Sequence, residues 1–179
     1  KVLDFIEEEI CHADNNEPAY IGVKMNSLTD KTIIDKMVEA SQHGVKIDLV
    51  VRGICCLIPG IEGYTENIRV ISIVGRYLEH SRIYIFGTPE RDKMFISSAD
   101  FMTRNMVKRV EVATPIYDTA IKDRVRTMFG IMLHDTVKGR ELCRDGNYYR
   151  REKPQEESEV ISSQAYFSNE AYLAASKNV

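Results

Sequence analysis

The stretch YIGVKMNSLTDKTIIDKMVEASQHGVKIDLVV, Tyr20–Val51, decides the fold class. Its opening YIGVKM and closing VKIDLVV are short and mostly apolar, which is typical of buried strands. The segment between them carries apolar residues at helical spacing: Ile33, Ile34, Met37 and Val38. Ser27 is predicted to cap this helix, which ends at Gly44. A strand, a helix and a strand in this order predict a right-handed crossover onto a parallel sheet. The fold class is therefore α/β, with α+β as the alternative.

The same patterns predict further elements on both sides of this unit. They comprise a helix at 2–13, strands at 68–74, 82–87, 93–100 and 109–116, and a long helix at 117–142. The remainder, from CRDGNYYRR through EKPQEESE to the end, is polar and is expected to be partly mobile. Strands thus dominate the middle of the chain and helices flank them.

Composition limits the classes of protein to consider. The chain has 179 residues, of which 44% are hydrophobic, which is ample for one packed core. The longest apolar run, VISIV, is far shorter than the roughly 18 residues of a membrane span. The four cysteines lack a CxxC pair, so we predict no metal site and interpret them as reduced thiols of a cytoplasmic protein. A net charge of −3 gives no reason to expect nucleic acid as a partner.

The stretch GRYLEHSRIYIFG contains the first chemical signal. If HSRIYIF is a strand, its period of two places His80 and Arg82 on one face with their α carbons about 7 Å apart. Arginine offers a bidentate fork for phosphate, and histidine serves as nucleophile, acid or donor near neutral pH. On spacing alone, however, a solvated surface pair is the simpler interpretation.

The segment SSADFMTRN, residues 97–105, adds hydroxyls, a carboxylate, an arginine and an amide. It resembles the serine and asparagine half of a phospholipase D-like motif, which accompanies a His-x-Lys pair. Here Arg82 replaces the lysine, no glycine precedes the serine, and Asp100 stands where the asparagine is expected. These departures weaken the case for phosphodiesterase chemistry.

A longer resemblance covers most of the chain. The stretch VKIDLVVRGICCLIPGIEGYTENIRVISIVGRYLEHSRIYIFG, then SSADFMTRNMVKRVEVATPI and VKGRELCRDGNYYRR, resembles the C-terminal domain of bacterial polyphosphate kinases of the first type. The resemblance implies a phospholipase D-like mixed sheet flanked by helices. It also implies one domain over 1–179, with a core at about 1–140 and an extension at about 141–179, cut from a longer chain.

This resemblance implies an activity of the longer chain. That activity is the reversible transfer of the terminal phosphoryl of ATP to inorganic polyphosphate, through a phosphohistidine in the preceding phospholipase D-like domain. Magnesium sites would lie mostly outside this chain. The resemblance also implies a homo-oligomer in the full-length protein and an inactive isolated domain.

Two residues match positions of the family that contact ATP, namely Arg52 in VRG and His80 in EHSR. The resemblance implies that Arg52 binds phosphate oxygens and that His80 donates to the transferring or leaving phosphate. Arg82 is a further clamp on ATP to which the resemblance gives no role. Asp100 or Glu111 is a candidate for orienting the His80 ring, and each is equally a candidate for a plain ion pair. The roles of Arg76, Arg104 and Asn105 stay open.

Two other function classes remain alternatives. A phospholipase D-like phosphodiesterase would need a lysine at the His-x-Lys position and a second motif. A non-catalytic phosphate-binding module would need neither.

Overall fold

The computed structural model describes residues 1–152, 154–156 and 160–176. In chain order the elements are α1 (Val2–Asp14), β1 (Tyr20–Met25), α2 (Lys31–Gln42), β2 (Lys46–Val51), β3 (Ile68–Ile73), β4 (Ile83–Phe86), β5 (Lys93–Ser97), β6 (Ala113–Ile116), α3 (Thr119–Leu133), β7 (Gly139–Leu142), β8 (Tyr148–Arg150) and α4 (Ser163–Ser176). A π-helical turn, Arg104–Lys108, lies between β5 and β6.

The strands of the described residues form one mixed sheet of eight, in the order β6-β5-β4-β1-β2-β3-β7-β8. The central strands β1, β2 and β3 are parallel, so the crossover through α2 that the sequence predicted joins parallel neighbours. Strand β4 runs antiparallel to β1 on the other side, and β7 runs antiparallel to β3. The mixed α/β class is confirmed.

Helices cover both faces of the sheet. On one face, Val23 and Leu49 pack in a core that includes Ile6 of α1 and Met37 of α2. On the other face, Ile71 and Ile85 pack with residues of α3. None of the helices in the described part of the chain combines the length and apolar character that a membrane crossing requires. All four cysteines are unpaired.

Three predicted boundaries were wrong. Asp30, not Ser27, is the N-cap of α2, because its backbone is extended and its carboxylate accepts from the Ile33 amide at 3.1 Å. The long helix predicted at 117–142 ends at Leu133, and Gly139–Leu142 forms β7 instead. The strand predicted from 109 begins only at Ala113.

The polar C-terminal segment is more ordered than its composition suggested. It contributes β8 to the sheet and ends in α4, although part of EKPQEESE lies outside the described residues. The carboxylate of Asp135 accepts from the Ser163 amide and hydroxyl, at 2.8 and 2.6 Å, where α4 begins. A buried polar anchor therefore fixes the start of α4, a helix whose Tyr166, Tyr172 and Leu173 side chains are exposed.

One edge of the sheet gathers the loops that carry the candidate residues. Met25 pairs with Val51, so β1 and β2 end side by side. Strand β4 begins at this same edge, because Ile83 lies next to Lys24. Strand β5 ends here and β6 begins here. In open α/β sheets, ligands bind outside the carboxyl ends of the parallel strands.

The capping role of Asp30 gives a stability prediction. Replacing Asp30 by Ala leaves the first amides of α2 without a partner and should lower the free energy of unfolding by about 1 kcal/mol. Asp35→Ala on the exposed side of the same helix, where Asp35 pairs with Lys31, is the matched control and should change it by less than about 0.5 kcal/mol. Urea denaturation followed by circular dichroism measures both. Equal effects of the two substitutions would contradict the capping role.

Candidate functional site

Arg52 lies directly after β2, at the carboxyl edge of the sheet. Its guanidinium donates from Nε and Nη2 to the side-chain oxygen of Asn26, at 3.1 and 3.0 Å. The next residue, Gly53, donates its amide to the Asn26 carbonyl at 2.7 Å. A β carbon at Gly53 would lie 2.8 Å from that carbonyl oxygen, closer than packing allows. The glycine therefore permits the close approach that holds Arg52 against Asn26.

His80 and Arg82 lie in the loop between β3 and β4, not in a strand as the sequence predicted, because β4 begins at Ile83. The two side chains nevertheless meet. Arg82 Nη1 lies 3.0 Å from His80 Nδ1 and also donates to the His80 carbonyl at 3.0 Å. His80 is exposed, whereas the Arg82 side chain is only 11% exposed. The contact arises from the loop conformation and not from the pleat of a strand.

Asp100, which follows β5, accepts both arms of the Arg82 fork, Nε at 3.2 Å and Nη2 at 3.0 Å. The same carboxylate accepts from the backbone and side-chain nitrogens of Asn26, at 2.7 and 3.2 Å, and from the Ser27 amide at 3.4 Å. Burial acts to raise the pKa of Asp100, but the Arg82 and Asn26 hydrogen bonds outweigh it and hold this pKa below its usual value. Asp100 is therefore a carboxylate in the folded protein at neutral pH.

These contacts form a continuous path from Arg52 through Asn26, Asp100 and Arg82 to His80. The structure thus brings the three candidate residues, Arg52, His80 and Arg82, to one site. Asn26 was missed by the sequence analysis. Its only signal was an amide directly after a buried parallel strand, the position where ligand-binding side chains often lie.

Glu111 occupies a separate branch of this edge. Its carboxylate accepts from the Ser98 hydroxyl and from Asn105 Nδ2, the latter at 2.6 Å. The Ser98 hydrogen bond is the largest of the effects that lower the pKa of Glu111. Asn105 belongs to the π-helical turn, and its side-chain oxygen is buried with no hydrogen-bond partner among the described residues. Glu111 therefore organises the segment after β5, while Asp100 reaches the His80 ring through Arg82.

Lys24, near the end of β1, contacts the loop that carries His80. Its side chain is 2% exposed, and its Nζ donates to the Ser81 carbonyl at 3.1 Å and lies 3.5 Å from the Glu79 carboxylate. Burial, the largest effect, lowers the pKa of Lys24, and the nearby charges of Arg52 and Arg82 lower it further. Lys24, Arg52 and Arg82 therefore lie close enough for their charges to interact, while Asp100 pairs with Arg82 and Glu79 lies beside Lys24.

Helix α4 also contacts the loop that carries His80. Gln164 donates to the Tyr77 carbonyl and to the Glu79 carboxylate, both at 2.9 Å, and accepts from the Tyr77 amide at 3.0 Å. The guanidinium of Arg76 lies 5.5 Å from the centre of the Tyr77 ring. Arg104 contacts the Met102 sulfur at 3.9 Å. These contacts place Arg76 and Arg104 beside the site, but they assign neither of them to a ligand.

Within the described residues, no group of three His, Cys, Asp or Glu side chains is placed to hold a metal ion.

Comparison with known proteins identifies relatives of this chain. Residues 1–164 match the family described as polyphosphate kinase C-terminal domain 2. The polyphosphate kinase of Bacillus cereus is 56% identical over 147 residues, which are 82% of this chain and 21% of that protein. The polyphosphate kinase of Synechocystis is 45% identical over 171 residues, 96% of this chain and 23% of that protein. The chain therefore spans between a fifth and a quarter of these relatives.

Solved structures give the same picture of the fold. The crystal structure of polyphosphate kinase from Porphyromonas gingivalis matches 99% of this chain and 26% of that chain, with a TM-score of 0.90 and 36% identity. Nuc from Salmonella typhimurium, a phospholipase D family member, matches 76% of this chain and 90% of its own, with a TM-score of 0.54 and 15% identity. The second likeness shows the fold alone. The phospholipase D-like architecture that the sequence predicted is thereby confirmed.

The lowered pKa of Asp100 gives a prediction for stability against pH. A carboxyl group whose pKa is lower in the folded state stabilises the fold above its ordinary value of 3.8, and loses that contribution as pH falls through the folded-state value. The difference in unfolding free energy between the wild type and Asp100→Asn should therefore shrink as pH is lowered from 7 to below 3.8. Urea titrations at several pH values measure it. A difference that stays constant down to pH 3 would contradict the assignment.

Proposed function

Because the chain belongs to the polyphosphate kinase C-terminal domain family, we propose that it supplies ATP-binding residues to an ATP:polyphosphate phosphotransferase. The proposed reaction is the reversible transfer of the terminal phosphoryl of ATP to inorganic polyphosphate. The observation that carries the proposal is the hydrogen-bonded path that joins Arg52 to His80 at the carboxyl edge of the sheet. These are the two residues to which the resemblance assigned contacts with ATP.

The hydrogen bonds of Arg52 leave part of its guanidinium for a ligand. Nε and Nη2 are directed to Asn26, which fixes the plane of the group. Its Nη1 has no hydrogen bond among the described residues and is available to phosphate oxygens. Phosphoryl transfer depends on positive donors placed around a transition state whose charge is spread over several oxygens. A guanidinium held in advance at the site meets this requirement.

His80 supplies a second donor. Its Nδ1 faces Arg82, and the exposed ring leaves Nε2 for the transferring or leaving phosphate. Arg82 contributes mainly through its charge, because Asp100 and His80 already occupy its donors. The weaker ATP-binding role predicted for Arg82 is thus proposed as electrostatic and not as a direct clamp.

The remaining parts of the reaction belong to the longer chain that we propose. A phosphohistidine would form in a preceding domain of the same chain, opposite His80. We propose that magnesium is held largely by that preceding domain. Assembly of the full-length protein into a homo-oligomer and its location in the cytoplasm remain predictions.

A phosphodiesterase is a weaker candidate. The likeness to Nuc concerns the fold, and the lysine and asparagine of the phospholipase D-like motif are replaced here by Arg82 and Asp100. Those two residues bind each other, with an Nη2 to Oδ2 distance of 3.0 Å. A pair engaged in this way is poorly placed to hold a phosphodiester.

The test uses the full-length polyphosphate kinase that carries this domain. His80→Gln and Arg52→Gln should each lower the rate of ATP-dependent polyphosphate synthesis about 100-fold, because each removes a donor to the transferring phosphate. His43→Gln, at an exposed site beside Asp14, and Arg124→Gln, at an exposed site beside Glu170, are matched controls that should retain the wild-type rate.

The outcomes separate the three function classes. Full synthesis by the His80 and Arg52 variants would contradict the proposed role of this site. Loss of ATP binding by those variants of the 179-residue chain, together with full synthesis by the same variants of the full-length protein, would indicate a non-catalytic phosphate-binding module. Release of nitrophenol from bis(p-nitrophenyl) phosphate by the 179-residue chain alone would support a phosphodiesterase.

A further inference from the structure

Among the residues that the structure describes, the carboxylate of Asp100 is the group whose hydrogen bonds reach both halves of the site, Asn26 and Arg82. It accepts five hydrogen bonds, three from residues 26 and 27 and two from Arg82. Asn26 in turn holds Arg52, and Arg82 in turn holds His80. Asp100 itself is 7% exposed, which leaves it little surface for a ligand.

The Arg82 side of this arrangement determines which nitrogen of His80 carries the proton. Arginine donates hydrogen bonds and never accepts them, so His80 Nδ1 must accept from Arg82 Nη1. In the neutral ring the proton then lies on Nε2. The imidazole consequently presents an N–H group, and not a lone pair, to a ligand outside the sheet edge.

The Asn26 side determines how Arg52 is presented. The side-chain amide of Asn26 donates from Nδ2 to Asp100 and accepts at Oδ1 from Arg52. Reversing this amide would bring its nitrogen towards Arg52, where two donors would face each other. The Asp100 carboxylate therefore fixes the amide orientation, and the amide orientation fixes the guanidinium.

We infer that Asp100 is a positioning residue for this site: through Arg82 it holds His80 with its proton on Nε2, and through Asn26 it aligns the guanidinium of Arg52. This inference rests on the proposed function. It changes the role of the Arg82 and Asp100 positions, which replace a lysine and an asparagine of the phospholipase D-like motif. The ligand meets only His80 and Arg52, and the pair behind them sets their geometry.

The proton position is tested by nitrogen NMR of the imidazole rings in the 179-residue chain, with His80→Gln to assign the His80 signal among the four histidines. At neutral pH the wild type should show a protonated Nε2 and an unprotonated Nδ1. Asp100→Asn releases the Arg82 fork, so the His80 signals should shift towards an average of both tautomers. Asp92→Asn is the matched control, since Asp92 is also a buried carboxylate that pairs with cations, here Lys122 and Arg126, and it lies before β5 at the other edge of the sheet.

Kinetics of the full-length enzyme test the two branches separately. Arg82→Lys cannot hold both Asp100 and His80, so kcat should fall about 100-fold with little change in the KM for ATP. Asn26→Ala releases Arg52 and removes one hydrogen bond to Asp100 but leaves the Arg82 fork in place, so the KM for ATP should rise about 10-fold or more with a smaller change in kcat. Asp100→Asn should change kcat and KM together, and adding Arg82→Lys to it should lower kcat little further, because both act on the same branch.

The possible results separate this inference from the proposed function. Wild-type kinetics and an unchanged His80 spectrum in a folded Asp100→Asn protein would overturn the inference, even if His80→Gln and Arg52→Gln are inactive. A loss of folded protein with unchanged kcat and KM per folded molecule would assign Asp100 a purely structural role and would also overturn it. If His80→Gln and Arg52→Gln are fully active, the proposed function fails, whereas the NMR result still decides what Asp100 does to His80.

Discussion

The parallel pairing of β1 with β2 is the constraint on which the site depends. Since Met25 lies beside Val51, the residues that follow, Asn26 and Arg52, leave the sheet at neighbouring positions. Helix α2 connects these two strands. Its apolar face packs in the core to which both strands contribute. A shift of one residue in this pairing would move every side chain of a strand to the opposite face. The strand register that packs the core therefore also places the residues of the site.

The antiparallel strands complete the site from the other side of β1. Strand β4 starts and β5 ends at the sheet edge where β1 ends. Arg82, which precedes β4, and Asp100, which follows β5, therefore lie at this same edge. Placing these charges in a nearly dry environment is costly unless each finds its partner. The Arg82 fork and the Asp100 carboxylate meet this condition with two parallel hydrogen bonds. Lys24 meets it less completely, through the Ser81 carbonyl and a carboxylate 3.5 Å away, and its pKa is lowered accordingly.

The sequence allowed prediction of the features that depend on local patterns. The Tyr20–Val51 unit was predictable because periodicity distinguishes its strands from its helix, whereas Arg52 was a candidate because of the resemblance to the polyphosphate kinase family. Asn26 was not identified, since an asparagine after a strand is also an ordinary turn residue. The contact of His80 with Arg82 was expected for the wrong reason, because a short loop and not a strand brings them together. Only tertiary contacts determine such a geometry.

Most of the polar side chains at this edge of the sheet bind one another, which leaves few of them for a ligand. Charged groups that must reorganise when a transition state forms contribute little to its stabilisation, whereas groups fixed during folding contribute fully. Here Asp100, Asn26 and Arg82 satisfy one another, so their orientation is set by the fold. Arg52 and His80 keep one nitrogen each for the outside. In the proposed function, a phosphate ligand would therefore meet two donors, from Arg52 and His80, whose positions are set before it binds.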